Sequence, residues 1–494
     1  MFCVRPGDYR SYGNRDLRVS GTQSARRFLR FDTPDGSVPA IKRSQQAFFE
    51  SIRVLGNWWV VQGLAIQPRN SETSWFLTIY GGDHNVVDGN LIDGRDHWNG
   101  PHQVAVVVRG LYGDPGNYNT VQRNVIRNGD RSHNANDYTG VQISMGWEPG
   151  EDNNWNKVLD NEIYDWGDGI SVSGVSSSCN EAGHQHGTII DGNDVYLTSA
   201  KRVNCATGAN DPNGGCACAE NGIDVKANPS GDAGSWTQIT NNRVWGFRPT
   251  TTAATCGGSG ATGQAITAGS HCPRNVFIAR NIASESVIGI AAAGSSWIVA
   301  GNLIHNIRAY DSSRQQPIAL LMADESSGFS AQFNTIANSA SAYDDGSDNT
   351  DTRCNVLVNT PGSTGIAQRR GYNHVTTYNS LYQSRDLNIV GSTNVSYSSL
   401  STSNNADYCY WRKRWTQSEI VCVAKAATTE YSPHRANASR CNVGLGAPFG
   451  MPYIGFVERP AGCGLGGEGA FAVAGMHLLR RRFRRRAAAE GEAG

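Results

Sequence analysis

Within Glu220-Asn221-Gly222-Ile223-Asp224-Val225-Lys226, two carboxylates, an amide and an ammonium stand close together. An extended chain alternates its side chains, so Ile223 and Val225 point to one face and Asp224 and Lys226 to the other. Two earlier segments read the same way, Gly169-Ile170-Ser171-Val172-Ser173 and Gly140-Val141-Gln142-Ile143-Ser144. Their outward positions are Ser171, Ser173, Gln142 and Ser144, which makes a polar strip with one Asp and one Lys in it. Asp165 and Asp168 fall at the turn ahead of Gly169. Gathered carboxylates and amides are oxygen ligands suited to Ca2+, and Glu220, Asp224 and Asp168 are the candidates. A lysine whose pKa is lowered can act as a base, and Lys226 is placed to do so. Taking a proton from beside a carboxylate also needs electrostatic help, from Ca2+ or an arginine. A solvated Asp–Lys surface pair would leave the same pattern.

Other residues invite a role with less support. Trp98, Trp147, Trp155, Trp166 and Trp245 fall at turns, where an indole stacks on a sugar ring or packs under a loop. Trp147 and Trp166 are the substrate-binding candidates among them. Arg109, with Arg123 and Arg127, either lines a groove or is plain surface. His184-Gln185-His186 reads as a metal pair or as a solvated loop. Asp344-Asp345-Gly346-Ser347-Asp348 reads as an acidic loop, solvated or weakly calcium-binding.

What must position these residues is a repeat. An apolar pair, two residues, Asn, one residue, then Ile or Val recurs, as in Val86-Val87-Asp88-Gly89-Asn90-Leu91-Ile92. It returns at Asn124, Asn161, Asn193, Asn242, Asn281, Asn302 and Asn334, and more weakly near Asn355 and Asn379. An earlier copy has Gly63 in the Asn place. Between these copies lies Gly-Ile/Val-x-Ile/Val, seen above and again near Gly289-Ile290 and Pro317-Ile318-Ala319-Leu320. Successive Asn positions from Asn90 lie 34, 37, 32, 49, 39, 21 and 32 residues apart. A constant motif at uneven spacing means a fixed coil with loops of variable length, unlike a propeller or a leucine-rich repeat. Such short strands must stack on neighbouring coils to close a core. Stacking brings equivalent residues to about 4.8 Å, so the Asn side chains form a ladder. The expected fold is all-β: a right-handed parallel β-helix of three-strand coils with long loop insertions.

Residues 1–55 then read as an N-terminal cap with the first strands, and 56–395 as the solenoid. Residues 396–460 lose the motif and read as a C-terminal cap, with 461–494 a tail. Insertions at 197–220 and 246–263 leave the solenoid near its middle, where long loops build binding surfaces.

Composition agrees. The 494 residues include 57 Gly, and only 17% are charged, a profile for short strands and tight turns. Formal net charge is zero, which argues for neither a nucleic-acid nor an acidic-membrane partner. No stretch is long and apolar enough for a transmembrane span. The 12 cysteines fall mostly in polar, Gly-rich stretches: Cys205, Cys216 and Cys218 in one insertion, Cys256 and Cys272 around another, Cys409 and Cys422 around a third. Disulfides stapling these insertions imply an oxidising compartment; unpaired thiols or a zinc site are the alternatives. The opening Met1-Phe2-Cys3-Val4-Arg5-Pro6-Gly7 resembles a strand and turn rather than a signal peptide, so the expected start lies upstream. Gly462 to Gly466, an apolar run from Ala470 to Leu479 and then Arg480-Arg481-Arg482-Phe483-Arg484-Arg485-Arg486 resemble bacterial C-terminal sorting tails; a frayed basic tail is the alternative.

Over most of residues 20–400 the repeat resembles the pectate-lyase-like β-helix superfamily. Glu220-Asn221-Gly222-Ile223-Asp224-Val225-Lys226-Ala227-Asn228 looks like the segment carrying the catalytic lysine in alginate lyase and chondroitinase B relatives. Those enzymes cleave uronate polymers by β-elimination. Ca2+ neutralises the uronate carboxylate, a basic residue takes the adjacent proton, and a second can protonate the leaving oxygen. The resemblance implies Lys226 as base, Glu220 and Asp224 as calcium ligands, and Arg243 on the next coil as the partner of substrate or leaving group.

The expected function is a secreted or cell-surface, monomeric protein that cleaves acidic polysaccharide by β-elimination. A non-catalytic adhesin or polysaccharide-binding protein is the first alternative, since fold does not set function. A glycoside hydrolase on the same fold is the second. It needs carboxylates on adjacent coils, for which Asp165 and Asp168 are the pair the sequence offers. No nucleophile elbow, P-loop or dinucleotide fingerprint stands in a suitable context.

Overall fold

The computed structural model describes residues 1–397 apart from 33–38, 70–74, 95–102, 112, 130–137, 145–150, 174–184, 186, 199–219, 227–235, 249–262, 268–272, 310–316, 324–326, 333, 354, 359–365, 369–374, 378–379 and 383–394, together with 409–413 and 418–422. The chain winds through three parallel sheets in rotation, one strand per sheet per coil, until Ser380–Tyr382 of the second sheet, on which the next described strand, Val395–Tyr397, pairs in the same sheet. Among the described residues the first sheet has 13 strands, the second 14 and the third 12. The parallel β-helix expected from the repeat is the fold. One coil shows the pattern: Lys157–Leu159 in the first sheet, Glu162–Tyr164 in the second, Asp168–Ser173 in the third. The first coil opens at Phe2–Val4, so residues 1–55 already contribute strands to all three sheets. Of 396–460 the described parts are Ser396 and Tyr397, which end the second-sheet strand Val395–Tyr397, and an antiparallel hairpin, Cys409–Lys413 with Ser418–Cys422. The tail, 461–494, lies outside the described residues, as do Trp98, Trp147, His184 and His186. Among the described residues no helix is long and apolar enough to cross a membrane.

The recurrent Asn forms the expected ladder. Asn90 Nδ2 donates to Asn124 Oδ1, and the bond repeats through Asn161, Asn193, Asn242, Asn281, Asn302 and Asn334 to Asn355, at 2.9–3.0 Å throughout. Each Nδ2 also donates to a carbonyl of the first-sheet strand one coil earlier, as Asn193 does to Val158 at 2.9 Å. A buried amide with its donors and acceptor engaged avoids the desolvation penalty that would otherwise expel it. In the coil below Asn90 the ladder position belongs to Leu64, whose N–H donates to Asn90 Oδ1 at 2.9 Å. Gly63, expected there, sits one residue earlier (φ 68°), in the left-handed bend that also precedes the ladder residues from Asn90 to Asn302.

Inward columns of Val, Ile and Leu fill the core. In the third sheet Leu77, Val106, Val141, Ile170, Ile223, Ile266 and Ile290 stack in register and are fully buried. The pairing there skips one residue per coil: Asp168 pairs with Asn221 and Ile170 with Ile223, passing over Gly169 and Gly222. A Cβ on Gly169 would collide with the Val195 side chain. The skipped position therefore faces inward beside another inward residue, and it must be small. That local break in alternation turns the preceding residue, Asp168, outward.

Candidate active site

The third sheet carries the polar strip on its outer face. Gln142, Ser171, Asp224 and Thr267 are register partners in one column. Tyr80, Arg109, Ser144 and Ser173 form the next. Lys226 continues that second column, since its N–H donates to Val172 O at 2.7 Å. Thr139, Asp168, Asn221 and Gln264 form a third. Asp168, expected in a turn, is the first residue of strand Asp168–Ser173, and the bend at Gly169 gives it the same face as Asp224 on the coil above.

A connected cluster results. Lys226 Nζ lies 2.7 Å from Asp224 Oδ2. Asn221 Nδ2 donates to the same oxygen at 3.3 Å and bonds Asp168 as well. Asp224 is fully buried, and Asp168 and Glu220 nearly so, while the Lys226 side chain keeps 38% exposure. Asp168 Oδ1 has no hydrogen-bond partner among the described residues. Burial first, and then the charges of Glu220 and Asp224, push the Asp168 carboxyl well above the usual range, against Lys226 and Asn221. Burial alone would lower the Lys226 ammonium, but Asp224, Asp168 and Glu220 outweigh it and raise it. Burial and the neighbouring carboxylates thus favour the protonated form of Asp168, while the carboxyl groups around Lys226 favour its charged form. Two carboxyl groups on adjacent coils, Asp168 raised by burial and by the charges beside it, form an arrangement suited to acid–base chemistry.

The donor chemistry suits a hard divalent cation, and the partnerless Asp168 oxygen is available to one. The geometry as it stands does not: no group of three His, Cys, Asp or Glu side chains converges for a metal among the described residues. The Lys226 ammonium is the counter-cation instead.

Several candidates lie elsewhere. Arg243 is on the second sheet, in strand Arg243–Trp245, not beside Lys226. Its Nε donates to Asp194 Oδ1 at 3.1 Å, and its guanidinium lies 4.0 Å from the Trp245 ring centroid. Trp166 is a core residue at 1% exposure, tilted against Phe76, and cannot meet a sugar. Trp245 stacks on Tyr196, and Tyr196 on Tyr164, in a column of the second sheet. Asp165 accepts from the Thr198 N–H at 2.8 Å and from its hydroxyl, so it is a turn-holding residue rather than half of an acid pair. Gln185 is buried, donating to Ile143 O at 2.8 Å. Arg123 and Arg127 are ion-paired to Asp88 and Asp93 on the other two sheets. Tyr343–Asp345 is a strand of the third sheet rather than part of a loop. Arg109 stays on the polar strip, half-buried three coils below Lys226, about 14 Å away at the sheet spacing. Burial lowers its pKa against the pull of Tyr80 and Glu151.

One feature of the corner between the third and first sheets lies outside both repeat motifs. Trp58, His84, Tyr118 and Trp155 occupy equivalent positions in successive coils, each with φ between 55° and 61°. Trp58 stacks on His84 at 4.0 Å and His84 on Tyr118 at 4.8 Å, within 9° of parallel. Asn or Asp flanks each ring, and these flanks make two further ladders. Asn85 N–H donates to Asn119 Oδ1 and Asn119 N–H to Asn156 Oδ1. Asn117 N–H donates to Asp83 Oδ1 and Asn154 N–H to Asn117 Oδ1. The signal was Asp83-His84-Asn85, Asn117-Tyr118-Asn119 and Asn154-Trp155-Asn156, one per coil.

No family model matches this chain, and no curated protein does. Solved structures resemble it in architecture. Pectate lyase Pel9A is 14% identical, matching 67% of this chain and 70% of its own with a TM-score of 0.40. A variant of the PL6 family alginate lyase AlyGC is 13% identical over 92% of this chain and 56% of its own, with a TM-score of 0.48. DFA-IIIase from Arthrobacter chlorophenolicus A6 is 12% identical over 75% and 87%, with a TM-score of 0.39. Likeness at this level speaks to the path of the chain alone.

Proposed function

We propose that this β-helix is a secreted or cell-surface protein, acting as a monomer, that cleaves an acidic, uronate-containing polysaccharide by β-elimination at the Lys226 cluster. The observation that carries the reading is the half-exposed Lys226 ammonium set among Asp224, Asp168 and Glu220 on the outer face of a sheet. Buried carboxylates on the solvent side of a solenoid burden the fold without closing its core, and such strained groups mark functional sites. Cys3, in a disulfide, fits the oxidising location.

In elimination, a base removes the proton on the carbon beside the uronate carboxylate. The electron pair forms the ring double bond, the glycosidic C–O bond breaks, and the leaving oxygen takes a proton. Lys226 serves as base only in its neutral form, so this route runs on the alkaline side, where the lysine gives up the proton that Asp224 helps to hold. Asp168, its pKa raised, is the neighbouring carboxyl placed to relay a proton to the leaving oxygen. Glu220, Asp224 and Asp168 do not converge on a metal as they stand, so calcium held by them is proposed only together with bound substrate. It would supply positive charge for the uronate carboxylate, and no step here depends on it.

Hydrolysis is the second reading, favoured by two carboxyl groups on adjacent coils, Asp168 and Asp224, with the Asp168 pKa raised. One experiment separates the readings. Alginate, pectate and glycosaminoglycans are incubated with the protein, with Ca2+ or with a chelator, and alongside Lys226→Ala. Ultraviolet absorbance of unsaturated uronate, lost in Lys226→Ala, supports elimination. New reducing ends without absorbance support hydrolysis. Binding without either product leaves a polysaccharide-binding protein. Loss of activity in chelator alone supports the calcium site.

A further inference from the structure

The hairpin Cys409–Lys413 with Ser418–Cys422 belongs to none of the three solenoid sheets and forms a two-stranded sheet of its own. Its register pairs Cys409 with Cys422, Tyr410 with Val421, Trp411 with Ile420, Arg412 with Glu419 and Lys413 with Ser418. A two-stranded hairpin by itself is marginal in water, because so few residues are removed from solvent. Such a unit persists when something ties its open end, and its open end is the cysteine pair. Residues directly opposite in an antiparallel ladder have Cα atoms roughly 4.5–5.5 Å apart. A disulfide spans Cα separations of about 4.4–6.8 Å, so this register needs no backbone movement to be bridged.

We infer that Cys409 and Cys422 form a disulfide that closes the hairpin. The two thiols each lose a proton and together give up two electrons, forming one S–S bond. The oxidant is a protein or small-molecule disulfide, reduced in exchange to two thiols. The crosslink acts mainly on the unfolded chain, which loses the open conformations of the 409–422 loop. It joins two residues of the hairpin itself, so no solenoid sheet depends on it.

The full-length protein, made in an oxidising compartment, is alkylated without reduction, digested and mapped by mass spectrometry. The expected result is one crosslinked species joining the peptides of Cys409 and Cys422, absent after reduction. Alkyl label on either cysteine before reduction overturns the inference, and so does a crosslink from either to another cysteine. As a second readout, Cys409→Ser should expose one additional titratable thiol, assigned by mapping to Cys422. The double variant Cys409→Ser/Cys422→Ser should restore the wild-type thiol count. An unchanged count in Cys409→Ser overturns it as well.

Discussion

The Lys226 ammonium, 38% exposed, lies 2.7 Å from a fully buried Asp224 oxygen. The pair is asymmetric: solvent reaches the cation, while its anion is sealed beneath it. The proximity of Asp224 is the largest influence holding the lysine above its ordinary range against burial. Under the elimination reading, wild-type kcat/KM should therefore rise with pH into the alkaline range. Asp224→Asn removes that influence and leaves burial opposed only by Asp168 and Glu220. The rising limb should move to lower pH by about 1–3 units. A pH–rate profile of both proteins checks this, and a limb that stays in place removes Lys226 from the role of base.

Asp168 should give opposite signs in stability and activity. Its folded pKa is raised, so its contribution to folding is full below the unfolded value and is lost as pH climbs through the folded one. Near neutral pH the site therefore opposes folding, by about 1–3 kcal/mol for a buried, under-satisfied group. Asp168→Asn keeps an acceptor for Asn221 and carries no charge. It should raise the thermal midpoint at pH 7–8 and leave it unchanged near pH 3, while glycan cleavage falls. Thermal scans at the two pH values and one rate assay decide it.

The Asn ladder should fail most where its rungs are doubly engaged. Asn242 accepts from both the N–H and Nδ2 of Asn193 at 2.9 Å and donates to Asn281 and to Ile190 O. Asn242→Ala strands several of these groups in the core and should cost about 2–4 kcal/mol. The check is a lower denaturation midpoint with faster amide exchange at Asn193. An exchange rate equal to wild type would mean that the backbone, not the side chain, protects that rung.

The solenoid was legible because Asn and apolar residues keep fixed offsets whatever the loop length. An amide recurring at a bend between apolar strands stays buried only where neighbouring coils supply its partners. The face shared by Gln142, Ser171 and Asp224 was legible from simple alternation. Asp168 was not, because alternation breaks at Gly169, and a skipped residue shows only in the pairing register. Arg243 was misplaced because of where the coil turns. Proximity along the sequence put it one strand group after Lys226, but the chain had by then passed onto a different sheet. Trp166 follows a turn residue, Asp165, and looked exposed, yet the coil folds it inward against Phe76.

The aromatic corner should invert the usual order of two small substitutions. Tyr118 is 49% exposed and holds φ at 55°, a conformation that disfavours residues with a Cβ by about 1–2 kcal/mol. The contact with His84 at 4.8 Å offsets that strain, since a stacked pair contributes about 0.5–1.5 kcal/mol. Tyr118→Gly loses the stack and also the strain, so its stability should stay within about 1 kcal/mol of wild type. Tyr118→Ala loses the stack and keeps the strain, so it should be the less stable of the two by about 1 kcal/mol. In an ordinary strand, alanine is the better tolerated residue. Urea denaturation of the two variants side by side gives the order, and alanine at or above glycine would mean that the corner backbone relaxes out of the left-handed region once the ring is gone.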